Sequence, residues 1–152
     1  MNTLFVGQTM INLAETDSTN TYANNLLKQG LVNEGTVIIT EHQTKGRGQM
    51  GNTWLAKKGE NLTFSVVLHP VFLSADKQFY LSKITALAVF NTLTEFIDAS
   101  QHDIKIKWPN DILVNKKKIA GILIEYIKLP NGSKNFVKQF SNYADYSVKT
   151  SM

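Results

Sequence analysis

The chain has 152 residues, of which 43% are hydrophobic and 18% charged, and it contains no cysteine. This length and composition predict a single globular domain, residues 1–152, and the lack of cysteine excludes disulfides, cysteine-ligated zinc and a thiol nucleophile. The net charge of +4 permits an anionic partner, either a nucleic acid or a phosphate-bearing small molecule, without choosing between them.

No basic signal region opens the chain and no apolar run approaches the ~20 residues of a membrane span, so we expect a cytoplasmic protein without a membrane partner.

The first elements in chain order are a helix and two strands. A helix of about three turns is predicted to begin at Asp17 or Ser18 and to end before Gly30. The β-branched run 36–40 and the apolar run 62–69 predict two strands joined by a glycine-rich loop.

The second half of the chain predicts another helix and a group of strands. Residues 74–98 are apolar on most of their circumference, which predicts a buried helix packed under the sheet. Alternation at 104–106 and 112–114, a turn at 115–117 and an apolar return at 119–127 predict two or three antiparallel strands. This order predicts an α+β fold, with helices packed on a mixed or antiparallel sheet rather than a doubly wound parallel one.

The glycine-rich loop "KGRGQMGNTW", residues 45–54, places three glycines around one arginine. Arg47 has a fixed fork of donors that matches a carboxylate or phosphate, and Gly46 and Gly48 let the backbone approach the same anion. Taken alone, the segment is equally compatible with a surface loop that carries a solvated arginine. It is neither a Walker A loop, because no GK[ST] follows, nor a dinucleotide fingerprint, because it does not open a helix.

Three further signals each leave two interpretations open. Trp54 either stacks on a purine base or covers the edge of the core. In "KWPND", Asn110 and Asp111 form either an ordinary turn or a functional polar pair in which Asp111 suits a Mg²⁺ that accompanies nucleotide phosphates. Lys118 adjoins an apolar strand and either points over the sheet toward the anion of Arg47 or is solvated, as we expect for its two neighbouring lysines.

Together, four motifs resemble the catalytic domain of the biotin–protein ligases, in the biotin/lipoate ligase superfamily. They are "DSTN" at 17–20, "EHQTKGRGQMGNTW" at 41–54, "KWPND" at 107–111 and "KKIAGILIE" at 117–125, and the resemblance covers about 11–125. It implies an α+β core similar to the class II aminoacyl-tRNA synthetases. It also implies an enzyme that activates biotin with ATP and Mg²⁺ to biotinyl-5′-AMP, then transfers the biotinyl group to a lysine of the biotin carrier domain of a carboxylase.

The resemblance also implies roles for the residues at matching positions. The expected catalytic residues are Arg47, Lys118 and Asp111, and Asp111 is the expected magnesium ligand. The expected biotin contacts are Ser18, Thr19, Asn20, Gln43, Gly46, Arg47, Gly48, Lys118 and Gly121. The expected nucleotide contacts are Arg47, Gly48, Gln49, Trp54, Asn110, Asp111 and Lys118. Gln49 stands where many family members carry a second arginine, so Arg47 is expected to act without one.

After Glu125 the resemblance ends, and residues 126–152 are predicted to form a divergent polar tail with a hairpin turn at "PNG". This predicts a truncated catalytic domain with buried sheet edges left unpaired and without a C-terminal β-barrel. No N-terminal DNA-binding domain is expected either, because the motifs begin at Asp17. DNA is therefore not expected as a partner, whereas a homodimer stays open. The alternatives to an active biotin–protein ligase are a non-catalytic remnant that binds biotin or the carrier, and a lipoate–protein ligase.

Overall fold

The computed structural model describes residues 3–74, 77–129 and 134–142. The helices of this part of the chain are α1 (Thr19–Lys28) and α2 (Gln78–Phe96), with a short 3-10 helix at Gln49–Gly51. The strands are β1 (Met10–Leu13), β2 (Val37–Thr40), β3 (Thr63–Leu68), β4 (Ile104–Lys107), β5 (Asp111–Val114), β6 (Lys117–Lys128) and β7 (Lys134–Asn142).

These strands form one seven-stranded sheet in the order β1-β2-β3-β7-β6-β5-β4. β1 lies parallel to β2, and every other neighbouring pair is antiparallel. The predicted α+β fold with a mixed sheet is therefore confirmed, as are both helices and the strands predicted on either side of the glycine-rich loop. Sequence reasoning did not predict β1, which supplies the one parallel pair of this sheet.

Helix α1 packs on one face of the sheet. The helix begins after Ser18, whose backbone is extended, and Gly30 follows its end with a φ of 68°. Ala23 and Leu27 lie four residues apart and therefore on one side of the helix, which they bury against the sheet. The cluster they form consists of Ala23, Leu27, Ile38, Val67 and Val137.

Helix α2 packs on the opposite face. Its Ala86 shares a buried cluster with Ile112, Ala120 and Ile122 of β5 and β6, and successive strand residues point to opposite faces. The prediction that this helix is buried on most of its circumference is wrong, because only one side of it meets the sheet. The side chains that remain exposed include Ile84, Leu87 and Phe96, at 60%, 53% and 79%.

The prediction of a weakly patterned tail over residues 126–152 is also wrong for two stretches. β6 continues to Lys128, and residues 134–142 form β7, which pairs with both β3 and β6. These two strands consequently have partners where unpaired edges were predicted. A strand between two neighbours gains ladder hydrogen bonds on both sides, which its own residue pattern does not reveal. The turn predicted at "PNG" and residues 143–152 lie outside the described residues.

Membrane insertion has no support from the helices of the described ranges. Neither α1 nor α2 combines the length and the hydrophobicity needed to cross a bilayer.

The central position of β7 predicts that Val137 contributes strongly to stability. Its side chain is fully buried in the α1 cluster, so Val137→Ala is expected to lower the free energy of unfolding by about 2 to 3 kcal/mol. Urea unfolding followed by circular dichroism measures the change. Val71→Ala is the matched control, because Val71 is 84% exposed and its truncation is expected to cost less than about 0.5 kcal/mol. Equal losses from both variants would contradict the placement of β7.

Candidate functional site

The candidate site lies on the α1 face of the sheet, above β5 and β6. Val67 belongs to the α1 cluster and pairs with Val137, which in turn pairs with Glu125 of β6. Directly paired residues point to the same face, so Glu125 shares the face that α1 covers elsewhere. By alternation, Gly121 and Leu123 point the same way, and both line cavities under the glycine-rich loop.

A β-bulge brings Lys118 to this face as well. On β5, Asp111 pairs with Gly121 and Leu113 pairs with Lys118, so one extra residue of β6 is accommodated between these pairs. Without the bulge, strict alternation from Gly121 would turn Lys118 toward α2. The extra residue, Ile119, therefore directs the ammonium group to the side of the sheet where the loop lies.

The glycine-rich loop folds as a small hairpin over the sheet. The amide of Trp54 donates to the carbonyl of Gly46 at 2.9 Å, and the amide of Gly48 donates to the carbonyl of Asn52 at 2.7 Å. Met50 stands at the tip, with a left-handed backbone (φ 54°) and a side chain that is 99% exposed. The loop thus has a regular base and a solvent-exposed tip.

Two glycines make room for Trp54. A Cβ atom at Gly46 would lie 2.3 Å from the carbonyl oxygen of Trp54, and a Cβ atom at Gly121 would lie 2.7 Å from the indole ring. Both distances are far shorter than van der Waals contact. The loop backbone and the surface of β6 therefore fit around this tryptophan only because both positions lack side chains.

A cavity of about 220 Å³ opens between this loop and β5 and β6. Lys118 Nζ lies 2.7 Å from Asp111 Oδ1 and 4.5 Å from the centre of the Trp54 ring. Asn110 is held by a hydrogen bond from its Nδ2 to the carbonyl of Ile122. The lining includes all seven residues predicted to contact a nucleotide, namely Arg47, Gly48, Gln49, Trp54, Asn110, Asp111 and Lys118.

A second group of predicted residues forms a buried polar network at the start of α1. Gln43 Oε1 accepts from the backbone amide of Thr19 at 2.8 Å and from its hydroxyl at 3.1 Å. Ser65 Oγ of β3 lies 2.7 Å from both Thr19 Oγ1 and Asn20 Oδ1. Ser18 Oγ, by contrast, is buried without a hydrogen-bond partner in the described part of the chain. The two cavities under the loop are not lined by Ser18, Thr19, Asn20 or Gln43.

Glu125 joins this network to the loop. Its Oε2 accepts from Asn20 Nδ2 at 2.7 Å and from Arg47 Nη2 at 2.6 Å. On this side of the loop a second cavity, of about 460 Å³, is lined by Arg47, Leu123 and Glu125 among others. Arg47 consequently borders both cavities, and the lining of each cavity includes a carboxylate that is paired with a cation.

Sequence reasoning brought together most of this site but missed two of its members. Ser65 connects Thr19 and Asn20, and Glu125 connects Asn20 and Arg47. For Ser65, the signal was a small polar residue inside the otherwise apolar run "FSVVL". Glu125 ended the quoted motif "KKIAGILIE", yet its carboxylate was given no role.

A metal site built from several protein ligands is not found in residues 3–74, 77–129 and 134–142. These ranges contain no group of three or more His, Cys, Asp or Glu side chains that could hold an ion. Asp111 is the acidic residue that borders the smaller cavity. Magnesium sites that use one or two carboxylates together with substrate phosphates and water do not require such a group.

Comparison with known proteins identifies the family. The family model for the biotin/lipoate A/B protein ligase family matches residues 13–137, so the match continues past Glu125, where the resemblance was predicted to end. The biotin–[acetyl-CoA-carboxylase] ligase of Mycobacterium tuberculosis is 35% identical over 113 residues, which are 74% of this chain and 42% of that protein. The enzyme of the same name from Paracoccus denitrificans is 40% identical over 115 residues, 74% of this chain and 45% of that protein.

A solved structure agrees with these sequence relatives. The biotin protein ligase of Aquifex aeolicus, in complex with biotin and ATP, is 32% identical with a TM-score of 0.66. The superposition covers 89% of this chain and 52% of that one. The match spans less than half the length of each of the two curated relatives named above.

The close contact between Gly46 and Trp54 predicts that the loop accepts alanine at Gly48 but not at Gly46. Gly46→Ala is expected to break the hydrogen bond from the Trp54 amide, because the backbone carbonyl 2.3 Å from the new Cβ cannot move aside without opening the hairpin. Gly48→Ala is the matched control, since its nearest contact is 3.4 Å. Amide hydrogen exchange at Trp54 should accelerate at least about tenfold in the first variant only. Equal exchange in both variants would contradict the hairpin.

Proposed function

The chain belongs to the biotin/lipoate A/B protein ligase family, and on that premise we propose that it is a biotin–protein ligase. It activates biotin with ATP to biotinyl-5′-AMP and transfers the biotinyl group to a lysine of the carrier domain of a carboxylase. The observation that carries the proposal is that Arg47 and Lys118, from distant parts of the chain, line one cavity together with Trp54 and Asp111. The curated relatives named biotin–[acetyl-CoA-carboxylase] ligase support the choice of biotin.

The first step brings two anions together, and the two cations that line the cavity suit this step. A biotin carboxylate oxygen attacks the α-phosphorus of ATP, a new P–O bond forms, and the bond to the β-phosphate oxygen breaks to release pyrophosphate. Negative charge is concentrated on the phosphoryl oxygens in the transition state, so fixed cations stabilise it. Arg47 and Lys118 are the cations proposed to do so.

The neighbouring side chains suit the nucleotide. The face of Trp54 is large enough to stack on adenine, a contact of about 1 to 3 kcal/mol in an enclosed site. Asn110 and the loop backbone at Gly48 and Gln49 are proposed to contact the rest of the nucleotide. Asp111 is proposed to contribute one carboxylate to the Mg²⁺ that accompanies ATP, although its Oδ1 already pairs with Lys118.

The polar residues at the start of α1 suit the ureido ring of biotin. This ring offers two N–H donors and one carbonyl acceptor, so it needs a matched set of buried polar groups. Ser18 Oγ has no partner in the described ranges, and Thr19, Asn20 and Gln43 are almost fully buried beside it. We propose that these side chains bind the ring, and that Gly46, Gly48 and Gly121 contact the biotin chain through their backbone.

In the second step, the lysine amine of the carrier attacks the acyl carbon of biotinyl-AMP, an amide bond forms and AMP leaves. This proposal makes the carrier domain of a carboxylase the protein partner. Because the reaction consumes ATP, we expect it to take place in the cytoplasm. The absence of a DNA partner and the option of a homodimer remain predictions from the sequence.

The proposal predicts that the two cations are individually essential. Arg47→Ala and Lys118→Ala are each expected to slow adenylate formation by about 10²-fold or more, the effect of removing one preorganised charged contact. Pyrophosphate release in the presence of biotin and MgATP measures this rate. Lys116→Ala is the control, because it removes the same charge from an exposed turn two residues away. Wild-type rates in either site variant would rule out the proposed assignment.

Two further measurements separate the alternatives. Incubation with biotin, MgATP and a biotin carrier domain should add one biotinyl group to the carrier, detected by mass spectrometry. A non-catalytic remnant would instead bind biotin in calorimetry without modifying the carrier. Modification of a lipoyl domain by lipoate under the same conditions, with biotin inert, would identify a lipoate–protein ligase.

A further inference from the structure

Arg47 is held by a carboxylate to which the proposed chemistry assigns no role. Glu125 Oε2 accepts from Arg47 Nη2 at 2.6 Å. The arginine is the more exposed partner, with 44% of its side chain accessible against 26% for the glutamate. The carboxylate reaches the guanidinium from β6 and lines the larger cavity, whereas Arg47 borders both cavities.

The position of this carboxylate is set by groups that have little freedom to move. Asn20 Nδ2 donates to the same Oε2 atom at 2.7 Å, and Asn20 is fully buried. Its Oδ1 lies 2.7 Å from Ser65 Oγ, and Ser65 is fully buried on β3. A rigid strand, a buried amide and a buried hydroxyl therefore fix the atom to which the loop arginine binds.

Such a pair has the geometry of an orienting contact. A guanidinium on a glycine-rich loop has many rotamers, and each one lost on binding an anion costs free energy. A charged hydrogen bond to a fixed carboxylate restricts the guanidinium before the ligand arrives, while the other N–H donors of its fork are not used in that bond. The free-energy cost of ordering the side chain is then part of folding, and it no longer weakens the binding of the anion.

We infer that Glu125 is a positioning residue for Arg47: its carboxylate orients the guanidinium toward the anions that are joined in the site. This inference rests on the proposed function for the identity of those anions. Its structural part, the restriction of Arg47 by Glu125, can be tested without activity. Glu125 is not expected to contact the substrates itself.

The test uses a property of this sequence, namely that Arg47 is its only arginine. In the nitrogen-15-labelled full chain, carrying no arginine in any tag, the guanidinium gives one Nε–H signal that needs no assignment. Wild-type protein is expected to show slowed rotation of the guanidinium, with separate Nη signals. Glu125→Gln and Glu125→Asp are both expected to shift the Nε–H signal and merge the Nη signals, because the first removes the charge and the second withdraws the carboxylate by one methylene.

Kinetics then show whether Glu125 acts through Arg47. Glu125→Gln is expected to lower kcat for adenylate formation by roughly 10- to 100-fold, the scale of a misplaced catalytic group. In an Arg47→Ala background the same substitution should have no further effect, whereas a general loss of structure would slow both backgrounds equally. Glu95→Gln is the matched control, because Glu95 is an exposed carboxylate on α2, on the opposite face of the sheet.

The outcomes separate this inference from the function on which it rests. An arginine signal that is identical in wild type and Glu125→Gln overturns the inference, as does an equal loss of rate in both backgrounds. Wild-type protein that forms no adenylate defeats the proposed ligase activity, and the arginine signal alone then decides whether Glu125 positions Arg47. A melting temperature near that of wild type, measured for each variant, excludes unfolding as the cause of a change.

Discussion

Two cations line one small cavity in this protein, and each is held by a carboxylate from a strand of the sheet. Lys118 pairs with Asp111 of β5, and Arg47 pairs with Glu125 of β6. Like charges brought together without such partners would repel each other and disfavour the folded loop. The carboxylates thus allow positive groups to be assembled before a ligand supplies its own negative charge, and the rest of the site is arranged around these two pairs.

Strand alternation and one β-bulge together place these groups on the same face of the sheet. Strands β5 and β6 bury their even-numbered apolar residues, such as Ile112 and Ile122, under α2, and alternation sends Gly121 and Glu125 to the other face. Lys118 would fall on the α2 face by the same rule. The bulge opposite β5 changes its direction, so a local irregularity at one residue determines whether the ammonium reaches the cavity.

Local patterns predicted most helices and strands of this fold. The strands that were missed are those whose stability depends on pairing with distant segments. Helix α1 has a clear period and a glycine after its end, and the hairpin of β5 and β6 has clear alternation and turn residues, so each was predicted from its own segment. β7 was missed because its stability comes from strands on both sides, and β1 because it is short and pairs with β2 in parallel. The contact between Asn20 and Glu125 joins residues that are 105 positions apart, and no period or spacing within either segment contains it.

The relative exposure of each pair bears on how an anion can bind. In both pairs the cation is the more accessible member, at 44% against 26% for Arg47 and Glu125, and 37% against 16% for Lys118 and Asp111. Asp111 and Glu125 also line the cavities, and both cations have several donors, of which each pair uses one. Under the proposed function, a ligand anion would bind the donors that these pairs leave unused. Because the cations keep these partners, they remain fixed in place while the charge on the ligand changes, and that constancy is what electrostatic stabilisation of a transition state requires.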